Sequence, residues 1–414
     1  MTDSDFFDSL ETRSADERES AQFKSLGTQL SIAKSKSSAY TDLLRDVDPS
    51  TVVDRSALAQ IPVTRKSELI QRQSKDKPFG GLVGGQLSDC RQIFASPGPI
   101  YEPEGHKNNY WRLARALYAA GFRRGDIAYN TFSYHFTPAG SMLQSGALEL
   151  GCAVFPAGPA QTELQIQTIN DLRPNAYVGT PSFLRLLIDK SRESGNSIDS
   201  FTHALVSGEA LPTALRDSLA SDGVNVMQCY ATADVGLIAY ESSALHGMIL
   251  DEQILVEIVR PGTGDPVADG EVGEMVITML DNPLYPLIRF ATGDLSALMD
   301  SSSPCGRTNR CIKGWMGRAD QTTKIRGMFV HPEQVDRVVK AHPEVTRARL
   351  VVARVGHNDE MTLQCECGSS DASLGDAIAE SLRAICKLRG TVELVTAGSL
   401  PNDGKVIDDT RPID

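Results

Sequence analysis

No apolar run in this chain approaches the roughly 20 residues needed to cross a bilayer, which argues against a membrane-embedded protein. The N-terminus, Met1-Thr-Asp3-Ser-Asp5, is acidic and lacks the basic start and apolar stretch of a secretory signal. Cysteine is sparse: eight are scattered through 414 residues, a pattern of reduced thiols rather than of a disulfide framework. The expected compartment is therefore cytoplasmic. Positive charge is also short, with 41 Lys and Arg against 53 Asp and Glu, a net charge of −12. That balance argues against a nucleic-acid surface, while an anionic nucleotide needs only a few local cations. Internal repeats and low-complexity tracts are missing too.

What remains is a globular composition, 41% hydrophobic and 23% charged, in a chain too long for one ordinary core. Residues 1–75 read as polar helices ending in a connector, with Thr64 as a helix cap. From about 90 to 240, strand-like runs alternate with helical patterns, which predicts a parallel sheet flanked by helices. The runs at 176–180, 204–207 and 224–227 are short, β-rich and close in Gly or polar turns. Such strands present ligands at their carboxyl ends. Between 250 and 300, two β-rich runs flank a Gly/Asp/Pro-rich stretch, the signature of a β-meander.

After Asp320 the order is helix (332–341), strand (347–355), strand (361–367), helix (372–389) and strand (391–397). The second helix carries Leu374, Ile378, Leu382 and Ile385 on one stripe and Gly390 as its stop. Met361, Leu363, Cys365 and Cys367 alternate, so a buried strand face accounts for the two cysteines better than a metal or redox site. The fold class is α/β: a large N-terminal domain (1–320, with 1–75 a helical entry segment) and a small, mobile C-terminal α+β domain (321–414).

Three short segments join a turn to one charged side chain each: Arg289-Phe-Ala-Thr292-Gly293-Asp294, Gly317-Arg318-Ala-Asp320 and Leu400-Pro401-Asn-Asp403-Gly404-Lys405. A carboxylate suited to a ribose, an arginine suited to a phosphate and a lysine on a tail fit nucleotide chemistry. Taken singly, each is more ordinary: Gly-Asp is common in turns, and a lysine near a terminus is usually solvated. The ordered set resembles the adenylate-forming superfamily, and within it the phenylacetate–CoA ligase type. The likeness extends through Ile61-Pro-Val-Thr-Arg-Lys66-Ser-Glu-Leu, the 155–163 and 179–182 turns, Ser207-Gly208-Glu209-Ala210 and Tyr230-Ala231-Thr232-Ala233-Asp234.

The resemblance implies a two-step reaction. A carboxylate attacks the α-phosphate of ATP, and the thiol of CoA, or of a carrier-protein phosphopantetheine, then displaces AMP. It further implies nucleotide contacts at Ser96, Gly98, Ser207, Gly208, Glu209, Tyr230, Thr232, Asp234, Asp294 and Arg318, with Lys405 and Arg318 catalytic. Asp234 would reach Mg2+ through the nucleotide. Asp320 would be a hinge, and rotation about it would exchange Lys405 for a loop at Lys324, Arg326 and Gly327 lining the pantetheine tunnel. Tyr134, His135, Phe136 and Ala231 would line the acid pocket, their aromatics favouring an aryl acid. His135 is not needed as a base, because the acid is already ionised at neutral pH. A homodimer is a permitted assembly.

Where the family has a Ser/Thr/Gly-rich phosphate loop, this chain has Ser96-Pro97-Gly98-Pro99-Ile100-Tyr101-Glu102-Pro103. Two prolines bring no amide, and Glu102 is an anion where a cation is common. Ala233 stands where a hydroxyl often meets the α-phosphate, and Asp234 replaces a longer Glu. A zinc-type cluster found in some relatives does not assemble from Ser242, His246, Cys305 and Cys311. The lysine- and ribose-side segments favour an ATP-dependent ligase. The altered loop leaves open an ATP-independent acyl-thioester transferase, or a nucleotide- or acyl-CoA-binding protein.

Overall fold

The computed structural model describes residues 5–319, 321, 323–326, 328–355, 358–368 and 372–411. Contacts group the chain into two units. One holds Met1–Val256, Ile277–Phe290 and Met299–Trp315; the other holds Glu257–Val276, Ala291–Leu298 and Met316–Asp414.

The first unit is organised by an eight-stranded sheet. Its order is Cys311–Ile312, Met248–Leu250, Gly236–Tyr240, Asn225–Thr232, His203–Val206, Ala176–Gly179, Ile127–Asn130 and Ala153–Pro156. The last five are parallel, in the register Tyr129↔Tyr177↔Ala204↔Val226, as the alternating runs predict. From Gly236 onward the strands are antiparallel, because the chain turns back directly after Thr232.

Side chains alternate between the two faces of these strands. Ala128, Ala176, Val178, Leu205 and Cys229 join Leu117, Phe122, Met142 and Leu143 in one core. Tyr129, Tyr177, Ala204, Val206 and Val226 join Ile166, Leu184, Leu187 and Phe201 in the other. Leu184 and Leu187 are fully buried, and each such side chain contributes about 1.5–3 kcal/mol.

The entry segment is helical as expected, with its main helix at Ala15–Lys36 capped by the Ser14–Glu17 box. Thr64, however, is not a helix cap. It lies in the short strand Thr64–Arg65, followed by a 3-10 turn (Lys66–Glu68) and the helix Leu69–Lys75. Its amide donates to the Arg289 carbonyl (3.0 Å), and the cap position of the turn that follows falls to Arg65 instead.

The expected meander is present as Ile254–Val259, Gly273–Met279 and Phe290–Ser296, side by side in that order. In the second unit the elements follow the predicted order. Helices Pro332–Lys340 and Ala372–Cys386 cover a sheet ordered Thr391–Thr396, Asn358–Cys367, Val345–Val355 and Ile407–Asp409. Met361, Leu363, Cys365 and Cys367 are buried, as alternation required.

Two details differ from the sequence reading. The second helix stops at Cys386, because Lys387 takes a left-handed φ of 58°. Gly390 serves a close approach instead: a Cβ there would lie 2.7 Å from the Met361 side chain. The segment carrying Lys405 is also no loose tail, since Ile407–Asp409 pairs in parallel with Leu350–Val352.

Candidate active site

The first unit presents its candidate residues at the carboxyl ends of the parallel strands, where a doubly covered sheet places ligands. Ser207 follows His203–Val206 and donates its hydroxyl to the Cys229 carbonyl (2.8 Å). Gly208 has a φ of +84°, and a Cβ there would meet Phe132 and Thr180. Glu209 accepts the Ser182 amide (2.7 Å) at the start of the helix Pro181–Glu193, a favourable place for a carboxylate. Half-buried Tyr230 and Ala231 flank a register shift in their strand. The Thr232 hydroxyl accepts the Val235 amide (3.2 Å).

Asp234 sits in the turn that follows, 1% exposed. That turn is held rigidly. The Arg112 guanidinium donates to the carbonyls of Val235 (2.7 Å) and Leu237 (3.0 Å) and to Asp251 (2.8 Å). Gly236 is required because its φ is +80° and a Cβ would fall 2.7 Å from the Trp111 carbonyl oxygen. Asp234 Oδ2 accepts from Lys66 Nζ at 2.5 Å, while buried Oδ1 has no partner among the described residues. An orphaned buried carboxylate oxygen is a donor atom suited to a magnesium ion brought with a nucleotide.

The altered phosphate loop is the tip of a hairpin, Gln92–Ser96 with Ile100–Glu104, in the register Ser96↔Ile100. Glu102 turns inward and takes up both donors of Ser96: the amide reaches Glu102 Oε2 (3.1 Å) and the hydroxyl bonds to Oε1. The Tyr101 amide is likewise engaged, by the Gln73 side chain (2.8 Å). The loop thus directs its best remaining donors at its own carboxylate.

Burial first, and the Asp234 charge next, push the Glu102 carboxyl up to about 7, against the opposing pull of Ser96 and Lys66.

The proposed acid-pocket residues separate. Tyr134 packs inward, its hydroxyl accepting from Asn130 Nδ2 (2.9 Å), and burial pushes its phenol up to about 12. It lines a cleft with Arg91, Gln92, Glu104, Asn108 and Ser141, which is more polar than an aryl pocket would be. His135 is exposed, and Phe136 is 79% exposed. Nearby in sequence to the zinc-type positions, Ser303 donates to Cys305 Sγ (3.1 Å) and lies 3.5 Å from Ser242. Among the described residues no group of three His, Cys, Asp or Glu side chains is arranged to hold a metal ion.

The second unit brings Asp294 and Arg318 together. Their backbones form a β-bridge, and Arg318 Nη1 donates to Asp294 Oδ1 at 2.8 Å. Asp294 is 7% exposed, whereas the arginine side chain is largely open to solvent. Lys405 follows Gly404, and its ammonium pairs with Asp408 (2.7 Å). Gln321 holds the same segment, donating to the Gly404 carbonyl (2.8 Å) and accepting the Ile407 amide (2.8 Å). Arg326, exposed and at a φ of 48°, donates to the carbonyls of Asp359 (2.8 Å) and Arg389 (3.2 Å). Asp320 and Gly327 lie outside the described residues, as does the side chain of Lys324.

Sequence reasoning passed over Lys66 as a site residue. Its only signal was its place in the entry segment, far in sequence from Asp234.

The raised Glu102 carboxyl has a consequence for stability. Folding lifts its value above the ordinary 4.5, so the folded chain binds that proton more tightly than the unfolded chain. The contribution is complete below the ordinary value and is lost as pH rises through about 7. Glu102→Gln mimics the protonated form at every pH. The melting temperature of the unaltered protein should therefore fall relative to that of the variant between about pH 5 and about pH 8. A difference that stays constant across that range would contradict the assignment.

Comparison with known proteins places these geometries in a family. Residues 105–279 match the model for the AMP-binding enzyme, and residues 327–411 match the AMP-binding enzyme C-terminal domain. A phenylacetate-coenzyme A ligase of Thermus thermophilus is 33% identical over 77% of this chain and 74% of its own. The phenylacetate-coenzyme A ligase of Escherichia coli is 28% identical over 96% of this chain and 95% of its own. A crystal structure of an open conformation of 2-hydroxyisobutyryl-CoA ligase, in complex with 2-HIB-AMP and CoA, shares the fold. Its TM-score is 0.73 at 24% identity, covering 97% of this chain and 93% of that one. With a relative of this identity over most of its length and both domain models matched in order, the chain belongs to the AMP-binding, adenylate-forming family of AMP-forming acyl-CoA ligases.

Proposed function

We propose that the protein is an ATP-dependent carboxylic acid–CoA ligase working through an acyl adenylate, with an aryl or arylacetic acid as substrate. The observation that carries the reading is the Asp294–Arg318 pair, a buried carboxylate bridged to an open guanidinium within the family's pattern. The curated relatives, phenylacetate–CoA ligases over most of the chain, support the class of acid.

In the first step a carboxylate oxygen bonds to the α-phosphorus of ATP and the α–β bridging bond breaks, releasing pyrophosphate. In the second, the CoA sulfur bonds to the acyl carbonyl carbon, the bond from that carbon to the phosphate oxygen breaks, AMP departs and the thiol proton passes to solvent. Asp294 accepts the ribose hydroxyls, and Arg318 neutralises phosphate charge. Lys405 leaves Asp408 to stabilise the anion that develops at the α-phosphate. Tyr230 and the Ser207–Glu209 turn hold the base, and Asp320 is the hinge between the two steps. Asp234, through its unpartnered oxygen, would hold nucleotide-bound magnesium, whose contribution is charge neutralisation on the phosphates.

The closure of Ser96 onto Glu102 favours one second reading, an acyl-thioester transferase that does not use ATP. Carboxylate-dependent ATP–pyrophosphate exchange across a panel of aryl acids separates the two. Exchange with one or more acids supports the ligase. Acyl-CoA binding with no exchange for any acid supports the transferase.

Two substitutions test the roles. Lys405→Ala should lower adenylate formation on the order of 10²-fold while sparing thioester formation from a supplied acyl adenylate. Equal loss of both half-reactions would contradict that division. Asp294→Ala should weaken ATP binding by about 1.5–3 kcal/mol in a calorimetric titration. The variant should still melt in a single cooperative transition, since the Arg318 guanidinium it leaves behind is open to solvent. Unchanged nucleotide affinity in a folded variant would rule out the ribose contact.

A further inference from the structure

The loop that normally cradles phosphates is short of donors here, so the positive charge for the pyrophosphate portion of ATP must come from elsewhere. Lys66 stands at that position. It opens the 3-10 turn Lys66–Glu68, directly before the helix Leu69–Lys75, and that helix packs on the hairpin tip. A Cβ on Gly98 would lie 3.2 Å from Ile70 Cδ1. Lys66 is also near enough to the hairpin for its charge to act on Glu102.

The element carrying Lys66 is fastened on both sides. Upstream, the buried Arg289 guanidinium donates to the carbonyls of Ala59 (2.8 Å) and Ile61 (2.6 Å), and the Arg289 carbonyl accepts the Thr64 amide. Downstream, the Gln73 side chain bonds both the amide (2.8 Å) and the carbonyl (2.9 Å) of Tyr101 in the hairpin. Fixation of this kind lowers the entropy lost when a cation engages a ligand.

The ammonium itself is poised. Its one acceptor among the described residues is Asp234 Oδ2, at 2.5 Å. An ammonium carries three donors, so two remain, and the side chain is 24% exposed, open to an incoming anion. The second oxygen of Asp234 is buried and unpartnered, so the pair is incomplete as it stands.

We propose that Lys66 is the binding residue for the β- and γ-phosphates of ATP, and hence for the pyrophosphate product, in place of the amides missing at Pro97 and Pro99. Asp234 is its positioning residue and holds the ammonium at the mouth of the hairpin. Glu102, by drawing Ser96 inward, makes the lysine the principal donor there. This assignment rests on the ligase reading for its biological setting, but phosphate binding tests it independently.

Lys66→Ala would strand a buried carboxylate, so a loss of binding there would not be separable from misfolding. The test therefore compares Asp234→Asn with the double variant Lys66→Met/Asp234→Asn, in which no buried charge is orphaned. Calorimetric titrations use inorganic pyrophosphate without magnesium and, separately, AMP. The double variant should bind pyrophosphate at least about tenfold more weakly than Asp234→Asn, with AMP affinity and melting temperature unchanged. Lys66→Arg in the Asp234→Asn background should recover most of the loss. Equal pyrophosphate affinity in the single and double variants would overturn the proposal. A matching fall in AMP affinity would overturn it too. If the unaltered protein binds pyrophosphate and depends on Lys66 to do so, yet supports exchange with no acid, the ligase reading fails and the Lys66 assignment stands.

Discussion

A carboxylate removed from water must find a cation, and in the first unit that requirement centres on Asp234. It is almost fully buried and lies close enough to Glu102 for the two charges to oppose one another. Lys66 resolves the conflict by pairing with Asp234, and Glu102 resolves it by shifting toward its protonated form. The surrounding framework serves that arrangement. Arg112 and the Gly236 turn fix the loop bearing Asp234, Arg289 fixes the strand before Lys66, and Gln73 joins the following helix to the hairpin. A buried pair of this kind adds little net stability, but removing one partner alone is costly, so its two halves depend on each other.

The changed hairpin shifts the division of labour within a shared chemistry. A loop of free amides offers many weak donors to a polyphosphate, whereas Pro97, Pro99 and the Ser96–Glu102 bonds leave few. On the Lys66 proposal, one preorganised ammonium replaces several dipoles by a single full charge. The elements proposed for the ribose side, in the second unit, carry no such alteration. Asp294 and Arg318 meet across a β-bridge, with the carboxylate sheltered and the guanidinium open. Under the proposed roles, affinity for AMP is decoupled from affinity for the rest of ATP.

Much of this was legible in the sequence because it depends on local pattern. The parallel strands of the first unit showed as short β-rich runs ending in Gly or polar turns, and in the second unit the alternation of Met361, Leu363, Cys365 and Cys367 named the buried face of strand Asn358–Cys367 correctly. The family itself was legible from three ordered turns. What escaped depends on partners distant in sequence or on a direction a side chain takes. Lys66 and Asp234 are 168 residues apart, and nothing near either reveals the other. Glu102 read as an obstruction to phosphate, yet its inward turn onto Ser96 follows from hairpin register. Thr64 had the composition of a helix cap but formed a strand, because a hydrogen bond to Arg289 outweighed local preference. The strand Ile407–Asp409 is only three residues long and gains its stability from Val345–Val355, which no local pattern announces.

The central claim is that the carboxylate of the acid, not a preformed thioester, supplies the acyl group by attacking the α-phosphorus of ATP. A carboxylic acid labelled with heavy oxygen in both carboxyl positions tests this directly, with mass spectrometry of the products after turnover with ATP and CoA. The account predicts AMP carrying one labelled oxygen and a thioester retaining the other. Thioester formation with unlabelled AMP, or with no AMP at all, would contradict it.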